Sequence, residues 1–468
     1  MQTSHEPTKK SRITLYILIA LVIGITLGIT LNKTWLEKDN QRIDSIQLSL
    51  DDIVTQSKQA NDSVKIQLEA KRKSLSEEKN ALLSARDKKM DPFSVLADIF
   101  LRLIKMIVAP LVFTTLVVGV ARLGDINSVG RIGGKTLLWF VGASLTSLLL
   151  GMILVNLFEP GIAMKLPVPD VGESSGVGTA GLSLKEFLYH VFPASVIDAM
   201  AKNEILQIVV FSIFFGVATA AIGEKGKVVI EFMDATSHVI LKVTGYVMNF
   251  APVAVFGAMT AIIAKQGAGI LKTYSIFIGE FYFGLLLLWC VLIFAGFLVI
   301  RKKIFGLVKV VREPTLLAFS TSSSEAAFPK TMEVLTKFGC SEKIVSFVLP
   351  LGYSFNLDGS MMYMTFASLF IAQSYSIDLP IATQISMLLV LMLTSKGIAG
   401  VPRASLVVIA GTLVTFNIPE AGLALLLGID PLLDMGRSAT NVIGNSVATV
   451  VVSKWEGALG EESTNAAT

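Results

Sequence analysis

Long apolar segments separated by short polar connections form the main pattern along this chain. A helix needs about 20 mostly apolar residues to cross the hydrocarbon core of a bilayer. Eight segments reach roughly that length, at residues 13–32, 95–119, 136–158, 203–222, 240–263, 274–300, 343–373 and 420–452. The pattern therefore predicts an all-α membrane protein with eight transmembrane helices.

Two further apolar segments carry small residues and a proline at their centres. The first contains the octapeptide SSSEAAFP, which begins at Ser322, and the second contains SKGIAGVP, which begins at Ser395, so serine and proline are seven positions apart in both. Short apolar arms joined in this way are typical of re-entrant hairpins that turn within the membrane. We expect these hairpins to cover residues 314–340 and 382–416.

Each expected hairpin is followed by a span that carries polar residues. The segment from Tyr353 to Ser360 follows the first hairpin, and the segment from Asp430 to Asn445 follows the second. Paired interrupted segments of this kind indicate a binding site near the midplane of transporters built from inverted repeats. The alternative is a chance recurrence of Ser, Gly and Pro in loops.

The last span has one polar face. At about 100° per residue, six side chains fall within an arc of roughly 100°. They are Asp430, Asp434, Arg437, Ser438, Asn441 and Asn445. An Asp or Arg at the centre of a membrane helix costs roughly 2.5 to 3.5 kcal/mol, so such residues face a partner, a cavity or a ligand. We interpret this face as a binding wall; the alternative is a packing stripe held by an internal Asp434–Arg437 pair.

The seventh span contains Asn356-Leu-Asp358-Gly359, which should break its helix. Glycine costs about 1 kcal/mol in a helix interior, and Asn and Asp compete for backbone hydrogen bonds. The freed carbonyl groups and two side-chain oxygens would form a cation site. A simple kink is the alternative.

The composition supports a membrane protein and narrows the function. The 468 residues are 53% hydrophobic and 16% charged, with a mean hydropathy of +0.67, which is too apolar for an ordinary soluble domain. The net charge of +4 gives no reason to expect a nucleic-acid partner. Two cysteines and three histidines show no disulfide framework or metal spacing, and no catalytic constellation indicates an enzyme. An ion channel remains a rival class.

The basic residues of the short loops lie on one side of the membrane when eight spans alternate, which places both termini in the cytoplasm. The expected segments are a cytoplasmic tail at 1–12, the first transmembrane helix at 13–33, a polar helical extracytoplasmic insertion at 34–92, the membrane core at 93–456 and a disordered cytoplasmic tail at 457–468.

Four motifs together resemble one family. SSSEAAFP, NLDGS, SKGIAGVP and DMGRSATNVIGN, in this order and spacing, resemble the glutamate transporter family of dicarboxylate/amino acid:cation symporters, most closely the bacterial proton/sodium–glutamate symport proteins. The resemblance covers residues 93 to 456 and implies an inner-membrane homotrimer that works as an elevator. Spans three, six, seven and eight would move with both hairpins against a scaffold of spans one, two, four and five. The insertion departs from the short connection usual in the family.

The resemblance also implies roles for individual residues. Arg437 would clamp the side-chain carboxylate of L-glutamate or L-aspartate, and Asp434 would pair with the substrate ammonium group. Further substrate contacts would come from Ser322, Ser323, Ser324, Ser360, Gly400, Val401, Pro402, Ser405, Ser438 and Asn441. Family members that carry dicarboxylates lack the acid at Asp434, which favours an amino-acid substrate. C4-dicarboxylates, neutral amino acids and an anion-channel activity are the alternatives.

The coupling ions would be protons, sodium ions or both, with no other cofactor. The implied cation site consists of Gly352, Ser354, Asn356, Asp358, Asn441 and Asn445. Sodium-dependent relatives have an aspartate at Asn445 and oxygen-bearing ligands at Phe140 and Ala143, so two sodium sites are weakened. Glu325 replaces a small residue at the first hairpin tip. Burial there would let it carry a proton; the alternative is a structural role capping the hairpin backbone.

Overall fold

The computed structural model describes residues 13–57, 62–123, 126–164, 168, 189, 191–395 and 404–460. Its helices are α1 (Ile13–Thr34), α2 (Glu37–Ser57), α3 (Asp62–Leu123), α4 (Ile126–Phe158), α5 (Pro160–Ala163), α6 (Val196–Lys202), α7 (Ile205–Ala221), α8 (Glu224–Met248), α9 (Ala251–Thr273), α10 (Ser275–Ile300), α11 (Lys303–Thr321), α12 (Ser324–Lys337), α13 (Glu342–Phe355), α14 (Asp358–Ser374), α15 (Ile381–Thr394), α16 (Ala404–Thr415), α17 (Ala424–Leu427) and α18 (Asp430–Trp455). A 3₁₀ turn at Glu420–Leu423 precedes α17. These residues form no strand, and the all-α class is confirmed.

Several of these helices are long and apolar enough to cross a membrane. Within the described part of the chain, α1, α3, α4 and α10 each qualify by length and hydropathy, and the bent pair α8–α9 gives a fifth span if it counts as one. Helix α7 has only 17 residues, and α18 carries the polar face. The chain is therefore a multi-pass membrane protein by these criteria, while the count of eight spans stays a prediction.

The second part of the insertion and the second span form one continuous helix, which the sequence did not predict. Helix α3 has 62 residues and passes through Pro92 and Pro110 without ending. Helix α2 packs back against its first half, where leucines at heptad spacing are half-buried. Arg86 of α3 donates a hydrogen bond from Nη1 to the backbone oxygen of Lys265 at 2.9 Å. The insertion is thus fastened to α9 as well as to the membrane helix.

The fifth predicted span, at 240–263, has a bend inside it. Helices α8 and α9 meet at an angle of 50° across residues 249–250. Pro252 lies at the second position of α9. A proline has no backbone N–H to donate and is tolerated in the first turn of a helix, so a new helix starts here. The predicted span at 240–263 therefore includes the junction between two helices.

The helices pack in two groups. In the first group, α1 packs along α9, and α3 packs against α7, α8 and α9. In the second group, α18 packs against α10, α11, α13 and α14, and α14 also packs against α4. The groups meet mainly where α11 lies against α9, where α12 and α13 lie against α3, and where α13 lies against α7.

Both hairpin regions consist of two consecutive helices. The first is formed by α11 and α12, so its first arm begins at Lys303 instead of residue 314. The second is formed by α15 and α16, within one residue of the expected limits of 382–416. Residues 396–403, at its centre, lie outside the described residues.

The end of α18 is tied to α4 and to the loop after the first hairpin. Glu456 receives hydrogen bonds from Lys135 Nζ at 2.7 Å and Arg131 Nη2 at 3.1 Å. Burial alone would raise the pKa of Glu456, but these two basic groups outweigh it and lower that pKa. The ion pairs of Glu456 with Lys135 and Arg131 are therefore fully formed at neutral pH, and they are lost as the pH falls through the lowered pKa of Glu456.

Residues 457–460 correct the expectation of a tail that is disordered from its first residue. The backbone N–H of Ser341 donates to the oxygen of Ala458 at 3.1 Å, and that of Gly460 donates to the oxygen of Gly339 at 2.9 Å. These backbone bonds hold the segment against the loop that precedes α13.

Candidate functional site

The tip of the first hairpin lies beside the start of α18. Helix α11 ends at Ser322, whose φ of 51° is left-handed and unusual for a residue other than glycine. Ser323 begins α12 by accepting a hydrogen bond from the backbone N–H of Ala326 at 3.2 Å. The Ser322 hydroxyl donates to the oxygen of Pro431 at 3.5 Å. The N-terminus of α12, which favours anions, is therefore next to the polar face of α18.

Arg437 is the centre of that polar face. It is 2% exposed, and its Nη2 lies 3.1 Å from Asp430 Oδ1 and 3.0 Å from Asp434 Oδ1. Its Cζ lies 4.1 Å from the centre of the Tyr363 ring, and the Tyr363 hydroxyl donates to Asp430 Oδ1 at 3.1 Å. Two carboxylates and an aromatic face therefore fix the position of one guanidinium group.

The guanidinium group of Arg437 keeps two donors unused. Both ion pairs use Nη2, whereas Nε and Nη1 are buried and have no hydrogen-bond partner among the described residues. A buried donor without a partner costs about 1–3 kcal/mol, and more when it is charged. A ligand carboxylate can accept from either of these donors, and because Nε–H and Nη1 point to different sides of the guanidinium group, a two-bond fork would pair one of them with Nη2.

The two carboxylates around Arg437 differ in accessibility. The side chain of Asp430 is 4% exposed, while that of Asp434 is 37% exposed. Asp430 is therefore a buried counter-ion, and Asp434 can contact a ligand. The internal Asp434–Arg437 pair that a packing stripe would need is present, but it occupies only one nitrogen of the guanidinium group.

Asn441 holds the break between α13 and α14 against α18. Its Oδ1 accepts hydrogen bonds from the backbone N–H groups of Gly359 at 2.9 Å and Ser360 at 3.4 Å, and its Nδ2 donates to Ser360 Oγ at 3.3 Å. The break falls at residues 356–357, as the sequence predicted. Asn441 thus caps the start of α14, as a side-chain oxygen does at a helix N-terminus.

Oxygen atoms converge beside this break. Asp358 is fully buried; its Oδ1 accepts from Ser147 Oγ at 3.3 Å and its Oδ2 from Asn356 Nδ2 at 2.9 Å. Asn356 Nδ2 also donates to Asn445 Oδ1 at 3.2 Å. Asn356 Oδ1 and Ser354 Oγ are buried and have no hydrogen-bond partner in the described part of the chain. Buried carboxylate, amide and hydroxyl oxygens are the ligands that hard cations prefer, so the cluster fits a cation.

Glycines allow the helices around this cluster to approach closely. A Cβ atom on Gly444 would lie 1.9 Å from Asp358 Oδ2, and one on Gly352 would lie 2.2 Å from Asn445 Oδ1. Real Cβ atoms do not approach other atoms so closely, so any larger residue at Gly444 must displace the Asp358 carboxylate.

Gly444→Ala should therefore raise the cation concentration needed for half-maximal uptake by at least about tenfold, because a displaced ligand costs about 1.4 kcal/mol or more. Uptake measured against sodium concentration and pH checks this. Gly142→Ala is the matched control, because a Cβ atom there would meet nothing within 4 Å. An unchanged cation dependence in Gly444→Ala would mean that Asp358 does not bind the cation.

Of the remaining predicted residues, four lie in the described part of the chain and three lie outside it. Ser405 and Ser438 are buried, and Ser324 is the half-buried first residue of α12. Glu325 is half-buried in the first turn of α12. The predictions for Gly400, Val401 and Pro402 lie outside the described residues.

Sequence reasoning missed three contributors. It placed Asp430 on the polar face but not as a partner of Arg437, and it overlooked Tyr363 and Ser147. A tyrosine and a serine within apolar helices were the available signals. Ser147 lies one turn after Ala143 on α4, so α4 still supplies an oxygen to the cluster although Phe140 and Ala143 cannot.

Comparisons with known proteins agree with the four motifs. The profile of the sodium:dicarboxylate symporter family matches residues 13–455. The chain is 44% identical over 379 residues to the proton/sodium-glutamate symport protein of Geobacillus stearothermophilus, covering 78% of this chain and 88% of the relative. It is 41% identical over 378 residues to the C4-dicarboxylate transport protein of Bacillus subtilis (strain 168), covering 79% of this chain and 88% of the relative. The match extends to the first helix, beyond the region that carries the motifs.

Proposed function

This chain belongs to the sodium:dicarboxylate symporter family, and on that premise we propose that it is a secondary active symporter that imports acidic amino acids. L-Glutamate and L-aspartate are the substrates that its polar face fits best. Symport by a multi-pass membrane protein follows from the family; the substrate and the coupling ion are the proposed part.

The observation that carries the proposal is the state of Arg437. Its Nε and Nη1 lack partners among the described residues, and the partly exposed Asp434 lies beside the same guanidinium group, 3.0 Å from Nη2. The side-chain carboxylate of an acidic amino acid would bind the guanidinium group of Arg437, and its ammonium group would bind Asp434. Its second carboxylate would reach Ser323 and Ser324 at the N-terminus of α12. A neutral amino acid would leave the guanidinium donors unpaired, at a cost of several kcal/mol.

C4-dicarboxylates are the second candidate class, because the Bacillus subtilis relative bears that name. Asp434 argues against them. A dicarboxylate has no ammonium group, so its second carboxylate would meet the Asp434 carboxylate at close range, and like charges repel. Competition of labelled glutamate uptake by unlabelled aspartate and by succinate tests the choice: aspartate should compete at a concentration at least tenfold lower than succinate. Stronger competition by succinate would overturn it.

We also propose an elevator mechanism within a homotrimer, and the division of the helices into two packing groups supports the elevator part. The site lies in the second packing group, which contains α4, α10 and both hairpins, and this group contacts the first mainly through α11, α12 and α13. In the proposed cycle, the second group carries the substrate across the membrane, the first group stays fixed, and the second hairpin closes over the substrate. Both termini would face the cytoplasm.

We propose two separate sites for the coupling ions, one for a sodium ion and one for a proton. The oxygens of Asp358, Asn356 and Ser354 would hold a sodium ion, and Glu325 at the first hairpin tip would carry a proton. Glu325 suits that task because it is half-buried, beside the proposed carboxylate site at Ser323 and Ser324. A carboxyl group there can gain a proton when the site is open and release it on the other side.

Glu325→Gln should abolish proton-driven accumulation of glutamate while exchange of external for internal glutamate continues. Glutamine keeps the shape of the side chain but cannot release a proton, and exchange needs no net proton movement. Uptake into proteoliposomes with a pH gradient, compared with counterflow, separates the two activities. Glu333→Gln is the matched control on the same helix, since Glu333 pairs with Lys330 at 3.2 Å. Accumulation that survives in Glu325→Gln would leave Glu325 a structural role only.

A further inference from the structure

An apolar groove lies between α10, α11 and α18, away from the proposed substrate site. Its volume is about 320 Å³. Its wall is formed mainly by Trp289, Leu307, Val311, Leu316, Phe319 and Ile443. A closed apolar cavity of about 150 Å³ is enough to hold benzene, so this groove has room for a longer hydrocarbon. Water would find few hydrogen-bond partners on such a wall.

The mouth of the groove is basic. Arg312 of α11 lines it and is exposed, and Lys309, one turn earlier on α11, is exposed as well. Neither side chain has an acidic partner within 4 Å in the described part of the chain. Thr315 also lines the groove, and its buried Oγ1 lacks a hydrogen-bond partner among the described residues. The groove thus combines an apolar wall with two cationic groups and one hydroxyl group that are free of ion pairs and hydrogen bonds, respectively, to the described residues.

We propose that this groove is a binding site for one acyl chain of an anionic phospholipid, with the lipid phosphate against Arg312. Charge complementarity identifies the occupant: a basic mouth above an apolar slot matches a negative head above a hydrocarbon tail. Three basic residues, Arg301 and Lys302 in the turn before α11 and Lys303 at its start, are typical of the cytoplasmic side of a membrane. Basic pockets between membrane helices on that side bind anionic lipid headgroups.

A lipid chain in this groove would contact two helices of the proposed substrate site, α11 and α18. Ala439 and Ile443 line it from α18, the helix that carries Arg437, and Leu307 and Phe319 line it from the first arm of the first hairpin. A bound chain would therefore contact a hairpin arm and the polar helix together. We expect it to stabilise the packing of α11 on α18.

The test measures binding of a fluorescent phosphatidylglycerol to the purified full-length protein in phosphatidylcholine nanodiscs. Arg312→Gln should weaken the apparent affinity about tenfold by removing the charged contact. Val308→Trp should abolish binding by filling the mouth, where Val308 is half-exposed. Lys302→Gln, an equal change of charge at an exposed residue outside the lining, should change the affinity less than twofold.

The unfolding temperature in pure phosphatidylcholine serves as the folding control for all three variants. Binding to Arg312→Gln and Val308→Trp that equals binding to the unchanged protein would overturn the proposal. Displacement of the labelled lipid by oleate as effectively as by unlabelled phosphatidylglycerol would overturn the phospholipid assignment. A signal that depends on protein concentration instead of lipid would identify a second copy of the chain as the occupant and would also overturn it.

Discussion

Replacing Arg437 with alanine should lower uptake of glutamate and aspartate at least about 100-fold at low substrate concentration. Two charge-assisted hydrogen bonds to a carboxylate are each worth about 1.5–3 kcal/mol, and every 1.4 kcal/mol is a factor of ten. Nε and Nη1 are the donors that no described residue uses, and a fork to one carboxylate would pair either of them with Nη2. Uptake of labelled substrate into proteoliposomes at equal protein content measures the loss.

Arg437→Ala also leaves Asp430 buried without its cation, so the folded state needs its own control. Removing one partner of a buried ion pair typically costs about 3–5 kcal/mol. Arg437→Lys keeps a positive charge for Asp430 but lacks the planar fork that binds a carboxylate through two nitrogens. It should retain the unfolding temperature of the unchanged protein and still lose uptake at least about tenfold. Normal uptake by a folded Arg437→Lys protein would show that the substrate carboxylate is not bound through two nitrogens of Arg437.

Replacing Asp434 with serine should shift the preference of the site from acidic amino acids towards C4-dicarboxylates. Loss of the carboxylate that pairs with the substrate ammonium should cost about 2 kcal/mol, near the low end for a hydrogen-bonded charge pair, because Asp434 is partly exposed. Glutamate uptake should then fall about 30-fold. Succinate should begin to compete, because the charge that repels its second carboxylate is gone.

A substitution at Asp434 is easier to interpret than one at Arg437, because it leaves the rest of the polar face in place. Arg437 keeps its pair with Asp430 at 3.1 Å and its contact with the Tyr363 ring when Asp434 is absent, so the guanidinium group stays in place. Competition curves for glutamate, aspartate and succinate on the same protein show whether the preference has changed. Asp434→Asn is the isosteric comparison. A uniform loss of all three ligands would indicate that Asp434 only supports the fold of the site.

Local patterns in the sequence predict a large part of this fold. The polar face of α18 follows from helical periodicity alone, and Asp430, Arg437, Asn441 and Asn445 are all buried on that helix. The break before Asp358 follows from residues that disfavour a helix interior, and it occurs where expected. Both features depend on neighbours within two or three turns, which a sequence displays directly.

Features that depend on distant contacts could not be predicted in the same way. Tyr363 and Asp430 are 67 positions apart, and Ser147 and Asp358 are 211 apart. Nothing local marks either pair, because the contacts arise only when α14 packs against α18 and α4. The continuity of α3 through two prolines is of the same kind. Its tertiary packing outweighs a propensity that would end an isolated helix.

Uptake of labelled L-glutamate and L-aspartate into proteoliposomes, with proton and sodium gradients imposed separately, tests the central claim most directly. The claim is that the polar face of α18 binds an acidic amino acid and that a cation gradient drives its accumulation. We expect accumulation above the external concentration with an inward gradient of at least one of the two ions, and none without a gradient. Equilibration without accumulation under every gradient, or accumulation of succinate in place of both amino acids, would contradict the account.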